Sequence, residues 1–244
     1  MDREKQIAEF TKRLQRAGGP NLLSAVLYGS AVTDEFHEGF SDLNVLCILR
    51  DASADALKNL SPAATWWAKQ KNPPPVILAA SEVARDVEIF PIELLDIQRH
   101  HRLLSGENVI GQLQVPMGLH RIQLERELRT KLQLLRQRYA AIAGNQRQSV
   151  ELMVNSLSGI VTLFRHAFLA AGTEPPPDRT PMIRAIARRA GFEETAFNHL
   201  FQLRRREKRA QDINAHVTFS AYVAAVEKVT ELVSALPYPR DLGS

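Results

Sequence analysis

The chain has 244 residues, 45% of them apolar and 24% charged, and carries a net charge of +4. That length predicts one or two domains with a sizeable core, and the ordinary composition excludes collagen-like, low-complexity and disulfide-scaffold chains. The single cysteine, Cys47, excludes an intrachain bridge and a thiolate metal cluster. The chain opens Met1-Asp2-Arg3-Glu4-Lys5, which predicts no secretory leader. No apolar run approaches the roughly 20 residues of a membrane-spanning helix. A soluble, cytoplasmic protein without a membrane partner is the expectation. Charge is uneven: residues 1–115 carry 12 Lys+Arg against 15 Asp+Glu, and residues 116–244 carry 19 against 12. A basic half beside an acidic one points either to a polyanionic partner or to a solvated helical surface.

Ile7, Phe10 and Leu14 fall at helical spacing, and Gly18-Gly19-Pro20 stops that helix. Ala25 to Tyr28 is a short apolar run closed by Gly29 and predicts a buried strand. Leu43 to Leu49, apolar but for Asn44, predicts an interior strand. Ser53 is placed to cap a helix through Leu57, Trp66 and Trp67 to about Gln70. Pro73-Pro74-Pro75 then precede a third strand at Val76–Ala79. Ser81 is placed to cap a short helix, and Phe90 to Ile97 reads as a fourth strand. Strands separated by helices predict an α/β layer architecture.

Gly106, Gly111, Pro116 and Gly118 mark a change of pattern, and strand signals vanish beyond them. Leu124, Leu128, Leu132, Leu135 and Tyr139 form a helical stripe within residues 119–142. Residues 148–171 predict a second helix, 172–177 an exposed loop, and 180–190, 193–209 and 217–235 shorter helices. The expected division is an α/β (α+β) domain over residues 1–115 and an all-α bundle over 116–244.

Chemistry concentrates in Leu27-Tyr28-Gly29-Ser30-Ala31 and Phe40-Ser41-Asp42-Leu43-Asn44-Val45-Leu46. A glycine and a serine end one strand, and an acid opens the next twelve residues after Ser30. Gly29 lets backbone approach a ligand closely. Amides at a following helical turn, with the Ser30 hydroxyl, suit a phosphate. Asp42 suits a divalent cation bridging to phosphate oxygens.

These residues resemble the signature of the DNA polymerase β-like nucleotidyltransferase superfamily, Gly-Ser, a gap, then Asp-x-Asp/Glu on a strand. The layout resembles small bacterial members of the kanamycin nucleotidyltransferase kind, in which a helical domain follows. The resemblance implies a nucleotidyltransferase domain with a small mixed sheet. It implies transfer of a nucleoside monophosphate from ATP or another NTP to a hydroxyl acceptor with Mg2+ (or Mn2+). Gly29 and Ser30 are then expected to grip the triphosphate, and Asp42 to be the first catalytic carboxylate and metal ligand.

The second carboxylate of that pattern is Asn44 here. Residues 42 and 44 of a strand share a face, so Asn44 takes a ligand's place with a neutral amide. Two cations about 3.5–4 Å apart rely on anionic ligands, and losing one full charge at an effective dielectric of about 20 weakens such sites by several kcal/mol. Binding of one cation with the nucleotide survives that change better than turnover does. Glu93, in Ile92-Glu93-Leu94-Leu95, is the preferred third carboxylate and metal ligand, ahead of Asp86, Glu88 and Asp96. On a strand, Asp96 would face away from Glu93.

His100-His101 is no ligand pair, because adjacent side chains diverge, and His37 reads as a loop residue. Arg204–Arg209 reads as the wet face of a helix, with phosphate binding as the functional alternative. Arg209 and His216 resemble the Arg-x(4–6)-His signature of HEPN ribonucleases, which implies an RNA-directed role for the helical half. A catalytically degenerate nucleotide- or partner-binding protein is the other alternative. A nucleic-acid partner for the basic half and a homodimer complete the expectations.

Overall fold

The computed structural model describes residues 2–32 and 43–237, without the side chain of Ser30. Two compact units divide the chain, Met1–Pro116 and Met117–Ser244.

The first unit is built on a four-stranded sheet of order β3-β2-β1-β4. Its strands are β1 (Leu22–Tyr28), β2 (Asn44–Leu49), β3 (Val76–Ala79) and β4 (His101–Gly106). β1 runs antiparallel to both β2 and β4, and β2 pairs parallel with β3. Among the described residues four α-helices flank it: α1 (Arg3–Gly18), α2 (Ala54–Lys69), α3 (Val83–Ile89) and α4 (Pro91–Arg99).

Both central strands are buried on both faces, which explains their unbroken apolar runs. One face sets Ala25, Leu27, Val45, Cys47 and Leu49 against Ile7, Phe10, Leu14, Leu60 and Trp67 of α1 and α2. Phe10 stacks on Trp67 with ring centroids 4.2 Å apart, and each such side chain contributes about 1.5–3 kcal/mol of burial. The other face sets Val26, Leu46 and Ile48 against Val83, Val87, Leu94, Ile97 and Ile110. Burial pushes the Cys47 thiol up to about 12, so it stays a neutral core group. Ser53 caps α2 by accepting from the Ala56 N–H at 3.4 Å.

The expected strand at Phe90–Ile97 is corrected: this segment is α4, and the fourth strand is His101–Gly106. Pro91 at the first helical position favours a helix start, and the Leu94–Ile97 spacing turns two apolar residues toward the sheet. Glu82, not Ser81, precedes the first turn of α3, and its carboxylate accepts from the Ala79 N–H at 3.2 Å.

β4 joins β1 through a bulge between the pairs Ala25–Ser105 and Val26–Leu103. Gly106 closes it at φ +79°, where a Cβ would lie 2.1 Å from the Leu23 carbonyl oxygen. The same oxygen accepts from the Glu107 N–H at 2.9 Å.

The second unit contains only helices among its described residues: α5 (Met117–Ile142), α6 (Gln146–Ala170), α7 (Arg179–Ala190), α8 (Thr195–Arg204) and α9 (Ala215–Ser234). Leu124, Leu128, Leu132 and Leu135 of α5 are buried with Met153, Leu157, Ile160 and Phe164 of α6 and Tyr222, Val226 and Val229 of α9. Asn145 and Asn214 cap α6 and α9 through Gln148 N–H at 3.0 Å and Val217 N–H at 3.1 Å. By length and composition α6 is apolar enough to cross a membrane, which corrects the expectation that no segment is. With 61% of its apolar window buried, it serves here as a core helix.

A buried imidazole pair lies inside this unit, with His120 Nε2 2.9 Å from His166 Nδ1. Desolvation, and then the neighbouring His166 charge, push His120 down to about 3. The unfolded chain therefore binds a proton near its ordinary 6.5 that the folded chain refuses. That stability is complete above pH 6.5 and drains away as pH falls toward 3, by at most about 1.4 kcal/mol per pH unit.

Two outcomes are expected. Gly106→Ala lowers the urea midpoint by an amount equivalent to about 2 kcal/mol or more; an unchanged midpoint means the bulge tolerates a side chain. Thermal melts followed by circular dichroism show Tm falling from pH 6.5 to pH 4.5, and His120→Leu flattens that dependence.

Candidate functional site

β1 ends on Tyr28, and the chain leaves the sheet through a 3-10 turn at Gly29–Val32. Gly29 has φ +76°, a left-handed conformation that L side chains rarely adopt. β2 begins at Asn44, which pairs with Tyr28, and β4 begins at His101, which pairs with Tyr28 from the other side. Residues directly opposed on neighbouring strands share a face, so Asn44, Tyr28 and His101 form one row. It lies on the face where Val26, Leu46 and Ile48 pack beneath α3 and α4. A Cβ on Gly29 would stand 3.4 Å from Asn44 Nδ2, so the amide lies against the bare turn. Burial pushes the Tyr28 phenol upward, which keeps it neutral.

The structure thus brings Gly29 and Asn44 together at one rim of the sheet, with the backbone of Ser30 following directly. Asp42 and His37 lie outside the described residues. Glu93 sits exposed in the first turn of α4, on a helix where a strand was expected. This corrects the facing argument as well: on a helix, residues three apart share a side, so Glu93 and Asp96 lie together. Asp96 Oδ1 stands 3.8 Å from His100 Nδ1. Asp86 and Glu88 are on α3. None of the four strands carries an Asp or Glu, and among the described residues no group of three or more His, Cys, Asp or Glu is placed to hold a metal ion. The described donor set at the rim, one neutral amide, does not fit a pair of divalent cations.

Sequence reasoning missed the place of His101 in this row. Its Nδ1 lies 2.9 Å from the Gln98 carbonyl oxygen and 3.1 Å from that of Ile97. Its Nε2 lies 2.9 Å from Asn108 Oδ1. The only local signal was the closing glycine of His-Arg-Leu-Leu-Ser-Gly.

In the helical unit, the basic run is no helix face beyond Arg204: α8 ends there, and Arg206 takes φ +60° in the following turn. Arg209 pairs with Asp212 at 3.5 Å, and His216 Nδ1 meets the Tyr139 hydroxyl at 2.8 Å. Each HEPN-like residue therefore has its own internal partner. An open cleft of about 720 Å3 lies among Arg184, Arg188, Phe192, Glu194 and Lys228 of this unit. Another, of about 530 Å3, separates α1 from α2 beside Lys12 and Arg16. Neither is lined by Gly29, Asn44 or Glu93.

No protein-family model and no curated protein matches the chain. Among solved structures it is similar to the spectinomycin adenyltransferase AAD(9) from Enterococcus faecialis, solved with ATP and spectinomycin. The TM-score is 0.55 at 14% identity, over 93% of this chain and 100% of that one.

Gly29→Ala is expected to cost about 1–2 kcal/mol, the usual penalty for a side chain in left-handed backbone. Urea unfolding measures it, and a neutral result means the turn relaxes to negative φ. The fold, a small mixed sheet with helices followed by an all-helical unit, is similar to that of this adenyltransferase.

Proposed function

We propose that this chain binds a nucleoside triphosphate at the rim formed by Gly29, Ser30 and Asn44 and acts as a nucleotidyltransferase on a hydroxyl acceptor. The observation that carries this is the left-handed Gly29 turn with the Asn44 amide laid against it, in a fold similar to an adenyltransferase solved with ATP. Backbone amides after Gly29 approach phosphate oxygens without a side chain in the way. The Asn44 amide offers the same oxygens an N–H donor. In the transfer, the acceptor oxygen bonds to the α-phosphorus, the bond from that phosphorus to the β-bridging oxygen breaks, and pyrophosphate leaves. The hydroxyl proton passes to a carboxylate or to solvent. Asp42 and Glu93 are the carboxylates proposed for this work and for Mg2+ escorting the nucleotide.

The second reading is nucleotide binding without turnover. Asn44 favours it, as do four strands with no carboxylate. Anionic groups are what two cations near the phosphates need, and the described rim supplies none.

Calorimetry with ATP separates nucleotide binding from its absence: binding is expected, and none at millimolar ATP overturns both readings. Labelled ATP with a panel of hydroxyl acceptors, spectinomycin among them, then distinguishes transfer from binding alone. Asn44→Asp restores one charge at the rim and is expected to raise transfer at least about tenfold, the rate equivalent of 1.4 kcal/mol. No change in transfer means the missing charge at position 44 is not what limits it.

A further inference from the structure

The Gly29–Val32 turn is held from outside as well as from within. The last carbonyls of a helical turn have no partner inside it. Here the Ala31 carbonyl oxygen accepts a hydrogen bond from the guanidinium of Arg3, in the first turn of α1. The two residues are 28 positions apart, so the fold makes this contact, not the local chain. Ala31 is itself buried in the core that Ile7 and Phe10 of α1 share with Leu27 of β1. The turn and the start of α1 therefore lie on one side of the sheet.

The neighbours of Arg3 bring it to this place. Arg102 of β4 donates to Glu4 Oε2 at 3.1 Å, and Arg102 lies opposite Leu27 in the strand register. Asn72 Nδ2 donates to Gln6 Oε1 at 3.4 Å. Such exposed and half-buried polar contacts add little stability, but they align the first turn of α1 with the end of β1. Arg3 Nε is buried, so the guanidinium is seated against protein at its inner edge. Its charge does not titrate, and it cannot turn from donor to acceptor.

A glycine permits a left-handed backbone without enforcing it, because it enters many other conformations as readily. Gly29 at φ +76° thus needs something else to keep the turn in one shape. A peptide group is a rigid plane, so a bond to the Ala31 carbonyl fixes the plane that Ala31 shares with Val32. In a turn of four residues that restrains the amides just before it. We propose that Arg3 is a positioning residue for the phosphate-binding turn, holding the Gly29–Val32 backbone through the Ala31 carbonyl in the shape that receives a nucleoside triphosphate. This rests on the nucleotide-binding reading above. Arg3 acts by organising the turn before the nucleotide arrives, so its loss shows as a looser turn and weaker binding on an intact sheet.

Two variants of the full chain test this. Arg3→Met keeps most of the apolar stem and removes every donor; Arg3→Lys keeps a donor. Hydrogen exchange followed by mass spectrometry without nucleotide is expected to quicken in Arg3→Met over peptides covering Gly29–Val32 and to stay at the wild-type rate over β2. Calorimetry is expected to show ATP binding about tenfold weaker in Arg3→Met and largely recovered in Arg3→Lys, with urea midpoints little changed. Unaltered exchange over the turn, or unaltered ATP affinity in Arg3→Met, overturns the proposal and leaves the nucleotide reading standing. Faster exchange over β1 and β2 alike, with a lowered urea midpoint, assigns Arg3 a general structural role and overturns it as well. Equal losses of affinity in both variants do the same, because a donor at position 3 then fails to rescue. No ATP binding by the wild type ends the nucleotide reading and this role with it.

Discussion

The candidate site depends on the register of β1 against its two neighbours. Tyr28 is the hub: Asn44 opposes it on one side and His101 on the other. Side chains alternate along a strand, so a slip of one residue would turn Asn44 and His101 to the opposite face and bury the wrong residues. The two apolar faces forbid that slip. Leu27, Val45 and Cys47 belong with Phe10 and Trp67, and Val26, Leu46 and Ile48 belong beneath α3 and α4. Core packing, which contributes nothing directly to ligand chemistry, thereby decides which polar groups meet at the rim.

The bulge in β4 serves the same end. It absorbs Leu104 of β4 between the pairs Ala25–Ser105 and Val26–Leu103, so His101 still lies opposite Tyr28 while Gly106 pairs with Ser24. Any side chain at Gly106 would put its Cβ against the Leu23 carbonyl, so the closure needs a glycine there. The glycine at one end of β4 and the histidine at the other are thus coupled through a single strand register.

Much of this was legible from residue order alone. β1 and β2 are interior strands, and interior strands announce themselves as unbroken apolar runs. The long helices of the second unit were equally plain, because Leu124 to Leu135 repeats at helical spacing over several turns. The failures share one physical cause. Phe90–Ile97 is a short apolar segment, and periodicity cannot separate a short buried helix from a short buried strand; Pro91 at the helix start was the overlooked sign. β4 is an edge strand with Arg102 and Leu103 exposed, so it has neither an unbroken run nor clean alternation. Gly29 and Asn44 could be singled out because the motif is local. His101 could not, because its meaning comes from a partner 73 positions earlier in the chain.

Binding and turnover place different demands on such a rim. Holding a phosphate needs backbone amides presented at a fixed angle, and the left-handed Gly29 and the β1–β2 register fix only the backbone of this turn. Transfer needs charges set around the reacting phosphorus, and nothing in the packing of the sheet enforces those. A neutral side chain at position 44 keeps the strand, the register and the turn intact, because asparagine and aspartate are nearly the same size. The architecture can therefore persist while the charge at its rim changes. For that reason likeness of fold at 14% identity speaks to the scaffold, whereas the chemistry is decided by the few polar side chains that the scaffold gathers at the ends of β1, β2 and β4.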